Sequence, residues 1–250
     1  MSATNRTLIT LCTYNERDNI SHLVPALRTL CPQADVLVVD DNSPDGTAEE
    51  VRHQAASDPQ VHLLLRQQKA GLGAATIAGF QWGLEHGYDV IVNLDADWSH
   101  PPDVIPRLLT ALESADVAIA SRYVPGGGIK GWPWFRYLMS WGINTYARWL
   151  LGLTARDCSG AFRAYRAAVL DQIDWQRFRS RGYAFQEELL FRCQQAGCRF
   201  VEVPFVFVDR QTGRSKINVQ EILRALKDLA CVAWERFFRR RSNTTAPHVS

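Results

Sequence analysis

Short apolar runs closed by polar turns alternate with segments of helical periodicity along the first half of the chain. Thr7-Leu8-Ile9-Thr10-Leu11-Cys12, Val36-Leu37-Val38-Val39, Val61-His62-Leu63-Leu64-Leu65, Val90-Ile91-Val92-Asn93-Leu94 and Val117-Ala118-Ile119-Ala120 read as strands. Their continuous apolar character suits strands buried on both faces. Between them, Ile20, Leu23, Val24 and Leu27, and later Val104, Ile105, Leu108 and Leu112, recur at helical spacing. Asn19 or Ser21 is expected to cap the first helix, and Thr47 with Glu50 stands at capping-box spacing for the second. The alternation from Thr7 to Ser121 predicts an α/β fold with a mostly parallel sheet flanked by helices. Beyond it the pattern predicts helices over about 135–151 and 185–196, a strand over 201–208 and an amphipathic helix over about 219–238.

Polar chemistry collects where these strands end. The fourth run stops at Asp95-Ala96-Asp97, and residues two apart on an extended chain share a side. Two carboxylates so placed suit a hard divalent cation, Mg²⁺ or Mn²⁺. Open α/β sheets bind ligands at the carboxyl ends of their strands. The first strand leads into Tyr14-Asn15-Glu16 and the second into Asp40-Asp41, groups able to meet a base or ribose. Arg122 and Arg210 follow strands, and Arg136 and Lys216 lie beside Gly-bearing loops; all four suit phosphates. Gly71-Leu72-Gly73 follows the third strand, and close helix–sheet packing explains it better than a dinucleotide fingerprint.

Composition narrows the classes. The 250 residues carry a net charge of +2 and 46% hydrophobic residues, values of a globular protein not built to coat nucleic acid. Nine Lys/Arg against three Asp/Glu between Arg210 and Arg241 leave that stretch at +6, which points to an anionic partner near the C-terminus. Six scattered cysteines without a Cys-x-x-Cys pair read as reduced thiols. The first residues do not read as a signal peptide, and no apolar stretch reaches membrane-spanning length. The expectation is a cytoplasmic chain.

Eight motifs in unbroken order from Leu8 to Lys216 carry a resemblance. They are Cys-Thr-Tyr-Asn-Glu-Arg (12–17), Val-Val-Asp-Asp-Asn-Ser-Pro-Asp-Gly-Thr (38–47), Gly-Leu-Gly (71–73), Asp-Ala-Asp-Trp-Ser-His-Pro-Pro (95–102), Ser-Arg-Tyr (121–123), Gly-Ala-Phe-Arg-Ala-Tyr (160–165), Gly-Tyr-Ala-Phe-Gln (182–186) and Val-Asp-Arg-x-x-Gly-x-Ser-Lys (208–216). The chain resembles the dolichol-phosphate (polyprenol-phosphate) mannose synthases of glycosyltransferase family two, of the GT-A fold.

The resemblance implies inverting transfer of mannose from GDP-mannose to a polyprenyl phosphate, with Mg²⁺ or Mn²⁺. It implies that Cys12, Tyr14, Glu16, Val39 and Asp41 hold the guanosine part, and that Asp95, Ala96 and Asp97 line the metal and ribose site. Ser99 stands where some members place a metal-completing Gln and is expected with Asp95 and Asp97 in the metal ligand set; Cys12 stands where Pro is common, and Trp141 where Arg is frequent. Arg122, Arg136, Arg210 and Lys216 would bind phosphates of donor or acceptor. The implied organisation is a single nucleotide-sugar-binding catalytic domain over 1–216, an interfacial helix over 217–241 and a disordered tail over 242–250. Contact with an anionic membrane follows, through the last helix and through Trp132, Trp134, Trp141 and Trp149, with a separate membrane subunit as a possible partner. A UDP-glucose or UDP-GlcNAc donor would use nearly the same motifs, and a non-catalytic module would have to explain both carboxylate pairs. Glu188 receives no role from the sequence.

Overall fold

The computed structural model describes residues 5–180, 182, 184–209 and 224–234. Strands β1 (Thr7–Thr13), β2 (Ala34–Asp40), β3 (Val61–Leu65), β4 (Val90–Asp95) and β5 (Val117–Ser121) alternate with helices α1 (Arg17–Leu30), α2 (Thr47–Ser57), α3 (Leu72–Glu85) and α4 (Ile105–Ala111). A short strand β6 (Gly128–Lys130) and the long helix α5 (Trp134–Leu151) follow. Then come β7 (Arg163–Arg166), α6 (Ala167–Asp171), α7 (Phe185–Gln195), β8 (Phe200–Pro204) and β9 (Val206–Val208). Residues 224–234 form a further helix, α8.

Seven strands make one sheet in the order β3-β2-β1-β4-β7-β5-β8. Every pairing in it is parallel except the two made by β7. The expected parallel sheet is therefore borne out, with an antiparallel insertion the sequence did not announce. Arg163-Ala164-Tyr165-Arg166 carries a charge at each end and is too short to show alternation. It forms a strand because Arg163, fully buried, donates to the carbonyls of Gln186 at 2.9 Å and Cys158 at 2.6 Å. The expected strand over 201–208 divides at Phe205. Its first part joins the main sheet beside β5 and its second pairs with β6.

Both sheet faces are covered, as the apolar runs required. Leu8, Leu37 and Ile91 belong to one apolar cluster, shared with Phe80 of α3, Ala147 and Leu151 of α5, and Leu189 and Leu190 of α7. Ile9, Val36, Val38 and Val92 belong to the opposite cluster, with Ile20, Leu23 and Leu27 of α1, Val51 of α2 and Ile105 and Leu108 of α4. α3 lies close on the sheet because its glycines admit it. A Cβ on Gly83 would stand 2.6 Å from the Ile91 Cδ1, and one on Gly73 2.8 Å from the Phe185 ring. Gly-x-Gly here serves helix packing.

Neither expected cap forms. α1 begins after Glu16 without a side-chain cap, and α2 follows Gly46, which is left-handed at φ 87°. The Thr47 hydroxyl instead accepts the Glu16 N–H at 3.2 Å and donates to Asp45 Oδ1 at 2.6 Å, tying the two strand-end loops together.

The expected boundary near 216 and the expected tail over 242–250 lie outside the described residues. Of the expected terminal helix, 224–234 is helical, and Leu229, Val232 and Ala233 are buried in the same cluster as α7. That part of the apolar stripe packs on the body of the protein. Trp234 stays exposed.

Candidate active site

The sheet order reverses beside β1: β2 and β3 lie to one side, β4 to the other. A crevice opens at the carboxyl ends of strands at such a reversal. Register fills it. Cys12 on β1 is the partner of Val39 on β2 and of Asp95 on β4, and Thr13 is the partner of Asp40. The residues singled out at three separate strand ends are thus neighbours, although 83 positions separate Cys12 from Asp95.

All three exit loops bend through a left-handed non-glycine residue: Asn15 at φ 61°, Asn42 at 57° and Trp98 at 62°. Asn adopts this region readily; an indole-bearing residue does so at a cost. Trp98 sits between the two acidic positions and Ser99, where turning the chain back returns Ser99 to Asp97. The Ser99 N–H and hydroxyl donate to Asp97 Oδ1 at 3.1 and 2.5 Å. Ser99 is buried, so it orients Asp97.

Buried His100 anchors the other carboxylate. Its Nδ1 accepts the Asp95 N–H at 2.9 Å, which leaves that nitrogen without a proton, and its ring stacks on Phe162 at 5.1 Å. Burial lowers its pKa against the pull of Asp95 and Asp97, so the imidazole is neutral. Asp95 keeps 39% of its side chain exposed. Among the described residues no third His, Cys, Asp or Glu joins these two carboxylates. Two hard oxygen ligands with the remaining positions left to a diphosphate and water suit Mg²⁺ or Mn²⁺.

Toward β2 and β3 the polar groups are paired. Asp40, fully buried, accepts from the Thr13 hydroxyl at 2.9 Å and the Ser43 N–H at 2.9 Å, and so fixes the loop. Asp41 meets Arg66 at 2.5 Å. Lys69 stands 3.7 Å from the centre of the Tyr14 ring, and Glu16 accepts the Asn19 amide at 2.6 Å. Cys12 lies 3.6 Å from the Thr76 hydroxyl of α3. Burial pushes its pKa to about 12, so it is a neutral thiol. Val39 and Ala96 are buried.

Beyond β4 lie the arginines. Arg122 donates through Nε and Nη2 to both Asp157 oxygens at 2.8 and 2.7 Å, and through Nη2 to Ser159 at 2.9 Å. Burial opposes the charge on each partner, yet the pairing prevails: Arg122 is raised and Asp157 lowered from their ordinary values. Arg136 pairs with Asp209 at 2.9 Å and lies 4.2 Å from the Trp132 ring. The Phe207 ring joins the two arginines, with Trp132 at 5.3 Å on one side and Arg122 at 5.8 Å on the other. Arg122 and Arg136 are thus linked through the Phe207 and Trp132 rings, each held by its own carboxylate; Arg210 and Lys216 lie outside the described residues.

Comparison with known proteins fits this geometry. The model of glycosyl transferase family 2 matches residues 8–174. The chain is 48% identical over 229 residues to the polyprenol monophosphomannose synthase of Mycolicibacterium smegmatis, covering 91% of this chain and 86% of that protein. It is 49% identical over 213 residues to the undecaprenyl-phosphate mannosyltransferase of Micrococcus luteus, covering 85% and 88%. The chain belongs to glycosyltransferase family 2.

Solved structures agree on the fold of this glycosyltransferase. The glucosyl-3-phosphoglycerate synthase of Mycobacterium tuberculosis, in complex with Mn²⁺, UDP and phosphoglyceric acid, superposes with a TM-score of 0.67 at 18% identity, covering 92% of this chain and 79% of that one. The Pyrobaculum calidifontis mannosyltransferase in complex with GDP-Man and Mn²⁺ gives 0.57 at 16%, covering 98% and 77%. The GT-A-type α/β fold expected from the sequence holds.

Several residues of the glycosyltransferase site were missed by sequence reasoning. Arg66 and Lys69 reach Asp41 and Tyr14 from the loop after β3, and only the +2 charge of that loop signals them. His100 was legible as the one titratable side chain after Asp97 within its motif. Asp157 had no signal beyond a turn-like context. Glu188 gains a role: fully buried, it accepts the Ser180 N–H at 2.9 Å and Arg192 at 2.8 Å, holding the loop before α7. Its neighbour Glu187 is buried with Oε2 unpaired, and burial raises its pKa to about 7.

Proposed function

We propose that this glycosyltransferase moves mannose from GDP-mannose to the phosphate of a polyprenyl phosphate, releasing GDP and inverting the anomeric carbon. The observation that carries the reading is the placement of Asp95 at the sheet reversal, in register with Cys12 of β1 and followed by Asp97, with the polar exit loops of β1 and β2 on one side and Arg122 on the other. The two relatives above are named for polyprenol and undecaprenyl-phosphate mannosyl transfer, and the family is the same.

Tyr14, Glu16 and Asp41 would meet the guanosine, with Cys12, Val39 and Ala96 contributing backbone. Asp95 and Asp97, the latter oriented by Ser99, would hold Mg²⁺ or Mn²⁺. That cation supplies charge neutralisation on the departing diphosphate. An attacking phosphate oxygen is already anionic near neutral pH, the second pKa of a phosphate monoester being about 6. No group has to remove a proton from it. The demand on the protein is to bring a second anion beside the first, which Arg122, Arg136, Arg210 and Lys216 would meet. As the acceptor oxygen bonds to the anomeric carbon, the bond to the GDP oxygen breaks on the opposite face.

The acceptor chain is water-insoluble, so the enzyme works at a bilayer. No helix among the described residues is long and apolar enough to cross one. α5 supplies another means. Of its eighteen residues only Asn144, Ala147 and Leu151 are buried, while Trp134 and Trp149 are each 77% exposed and Phe135, Leu138 and Trp141 about half. An aromatic face of this size, with Arg136 and Arg148 on the same helix, suits the interface of an anionic membrane. With a protein so docked, a separate membrane subunit would be a tether and not a catalytic requirement.

Assay of the purified chain with GDP-mannose, UDP-glucose and UDP-GlcNAc against undecaprenyl phosphate tests the reading. Mannosyl transfer from GDP-mannose alone, abolished by chelator, is expected. Transfer from a UDP-sugar in its place, or donor binding with no transfer, would overturn it.

A further inference from the structure

Between α5 and the segment 122–127 lies a cavity of about 390 Å³. Tyr123, Tyr137, Trp141, Asn144, Arg148 and Arg156 line much of it, Arg122 forms part of its wall, and among the described residues no carboxylate lines it. The three arginines are not equivalent. Arg122 is held by Asp157 and Ser159 in a net-neutral pair with its carboxylate. Arg136, just outside the cavity, is likewise paired with Asp209. Among the described residues the guanidinium groups of Arg148 and Arg156 make no ion pair; the carboxylate of Glu202 is taken up by the backbone N–H groups of Arg156 and Asp157 at 2.9 and 3.0 Å. The Nε of Arg148 is, moreover, buried and without a hydrogen-bond partner.

Asn144 is what brings these two cations together. It precedes Arg148 by four positions, so the two share a face of α5. Its amide donates to the carbonyl of Arg156, and its Oδ1 accepts the Cys158 N–H at 2.8 Å. The segment bearing Arg156 and Asp157 is thereby fastened to the turn of α5 that bears Arg148. A buried asparagine thus fixes the backbone from which the exposed Arg156 projects beside Arg148, and both arginines line one space.

That space opens onto aromatic surface. Tyr137 and Trp141 line it and are also 45% and 49% exposed on the outer face of α5. A ligand matching both parts has a multiply charged anionic head and an apolar chain.

We propose that Arg148 and Arg156 form the entry subsite for the phosphate head of the polyprenyl phosphate acceptor, with the first prenyl units against Tyr137 and Trp141. The assignment rests on the acceptor class proposed above. It adds residues that neither the strand-end carboxylates nor the expected phosphate-binding arginines include. Two unpaired guanidinium groups match the two charges of a phosphate monoester, whereas Arg122 and Arg136 each already face a carboxylate. The cavity wall at Arg122, the residue that follows β5 at the carboxyl end of the sheet, is the way onward. The head is captured at Arg148 and Arg156 and handed past Arg122 to the metal-side centre.

Titration calorimetry with the full chain and geranyl phosphate, without donor, is the direct test. The wild type should bind. Arg148→Gln and Arg156→Gln should each weaken binding about tenfold or more, the loss expected of a charge-assisted hydrogen bond. Arg148→Lys should recover part of it. GDP affinity should be unchanged in all three, which also reports that they are folded. Inorganic phosphate should bind far more weakly, and vesicles of phosphatidylglycerol should not compete for the cavity. Equal binding of geranyl phosphate by wild type and variants overturns the subsite, as does no binding by the wild type or equal competition by either control. If geranyl phosphate binding depends on both arginines but GDP-mannose yields no transfer, the subsite stands and the proposed donor falls.

Discussion

Arg122 and Asp157 face each other through two parallel hydrogen bonds of 2.7 and 2.8 Å, and the Asp157 side chain has no solvent exposure. A buried pair of this kind adds little stability over an apolar one, but removing one member leaves an uncompensated charge. The pair also directs the Arg122 charge toward Asp157 and Ser159. Asp157→Asn should therefore cost about 3–5 kcal/mol of stability. Asp209→Asn breaks the pair with Arg136, which is 20% and 27% exposed, and should cost at most about 1 kcal/mol. Urea unfolding of both variants checks the contrast. Equal losses would show that Asp157 is not an electrostatic anchor.

The roles of Asp97 and Ser99 separate in a metal titration. Asp97→Ala removes a proposed ligand and should abolish transfer at any accessible Mn²⁺ concentration. Ser99 is buried and only orients Asp97. Ser99→Ala should weaken metal affinity about 10–100-fold, the usual effect of losing an orienting partner, and recover most turnover at saturating metal. Failure of excess Mn²⁺ to rescue Ser99→Ala would return Ser99 to the ligand set expected from the sequence.

Where sequence reasoning succeeded, a local pattern carried the information. An apolar run ending in Asp95-Ala96-Asp97 announces both a buried strand and its polar end, and the exposed aromatic residues of α5 were visible as tryptophans in a segment whose only charges are Arg136 and Arg148. Where it fell short, the information was in distant partners. The buried pairing of Arg122 was not legible because nothing nearby in sequence reveals Asp157, 35 positions on. Arg66 escaped notice because its partner Asp41 lies just past the end of β2, 25 positions back. β7 escaped notice because Arg163 is buried by carbonyls from two separate segments. Thr47 and Glu50 matched a capping box by spacing, yet the Thr47 hydroxyl is taken by Glu16 and Asp45.

Glu187 gives the protein a pH dependence near neutrality. Its carboxyl pKa is raised by burial to about 7 from an ordinary value of 4.5. A raised folded-state value means that the native state binds the proton more tightly than the unfolded chain. The associated stability is complete below about pH 4.5 and is lost as pH rises through 7. Across that window the change is on the order of 3 kcal/mol. Glu187→Gln should remove this part of the dependence, so that unfolding free energies of wild type and variant diverge between pH 5 and 8. Parallel curves would mean that Glu187 is ionised, and solvated or paired, throughout.

Membrane association should reside mainly in α5. Trp134 and Trp149 are the most exposed of its aromatic residues and lie fifteen positions apart, about 22 Å along a helix. They can enter one interface together if the helix lies along the bilayer surface. α8 contributes less than its periodic stripe suggested, since Leu229, Val232 and Ala233 are already buried against the body of the protein. Trp134→Ala with Trp149→Ala should thus reduce co-sedimentation with anionic liposomes several-fold while leaving thermal stability unchanged, because neither side chain is in the core. Removing residues 219–250 should do the reverse at high salt: it deletes buried apolar side chains and lowers stability, but spares the salt-insensitive, aromatic part of liposome binding. If the double tryptophan variant binds liposomes as the wild type does and the truncated chain does not, the docking element is the basic C-terminal segment and the exposed face of α5 has another partner.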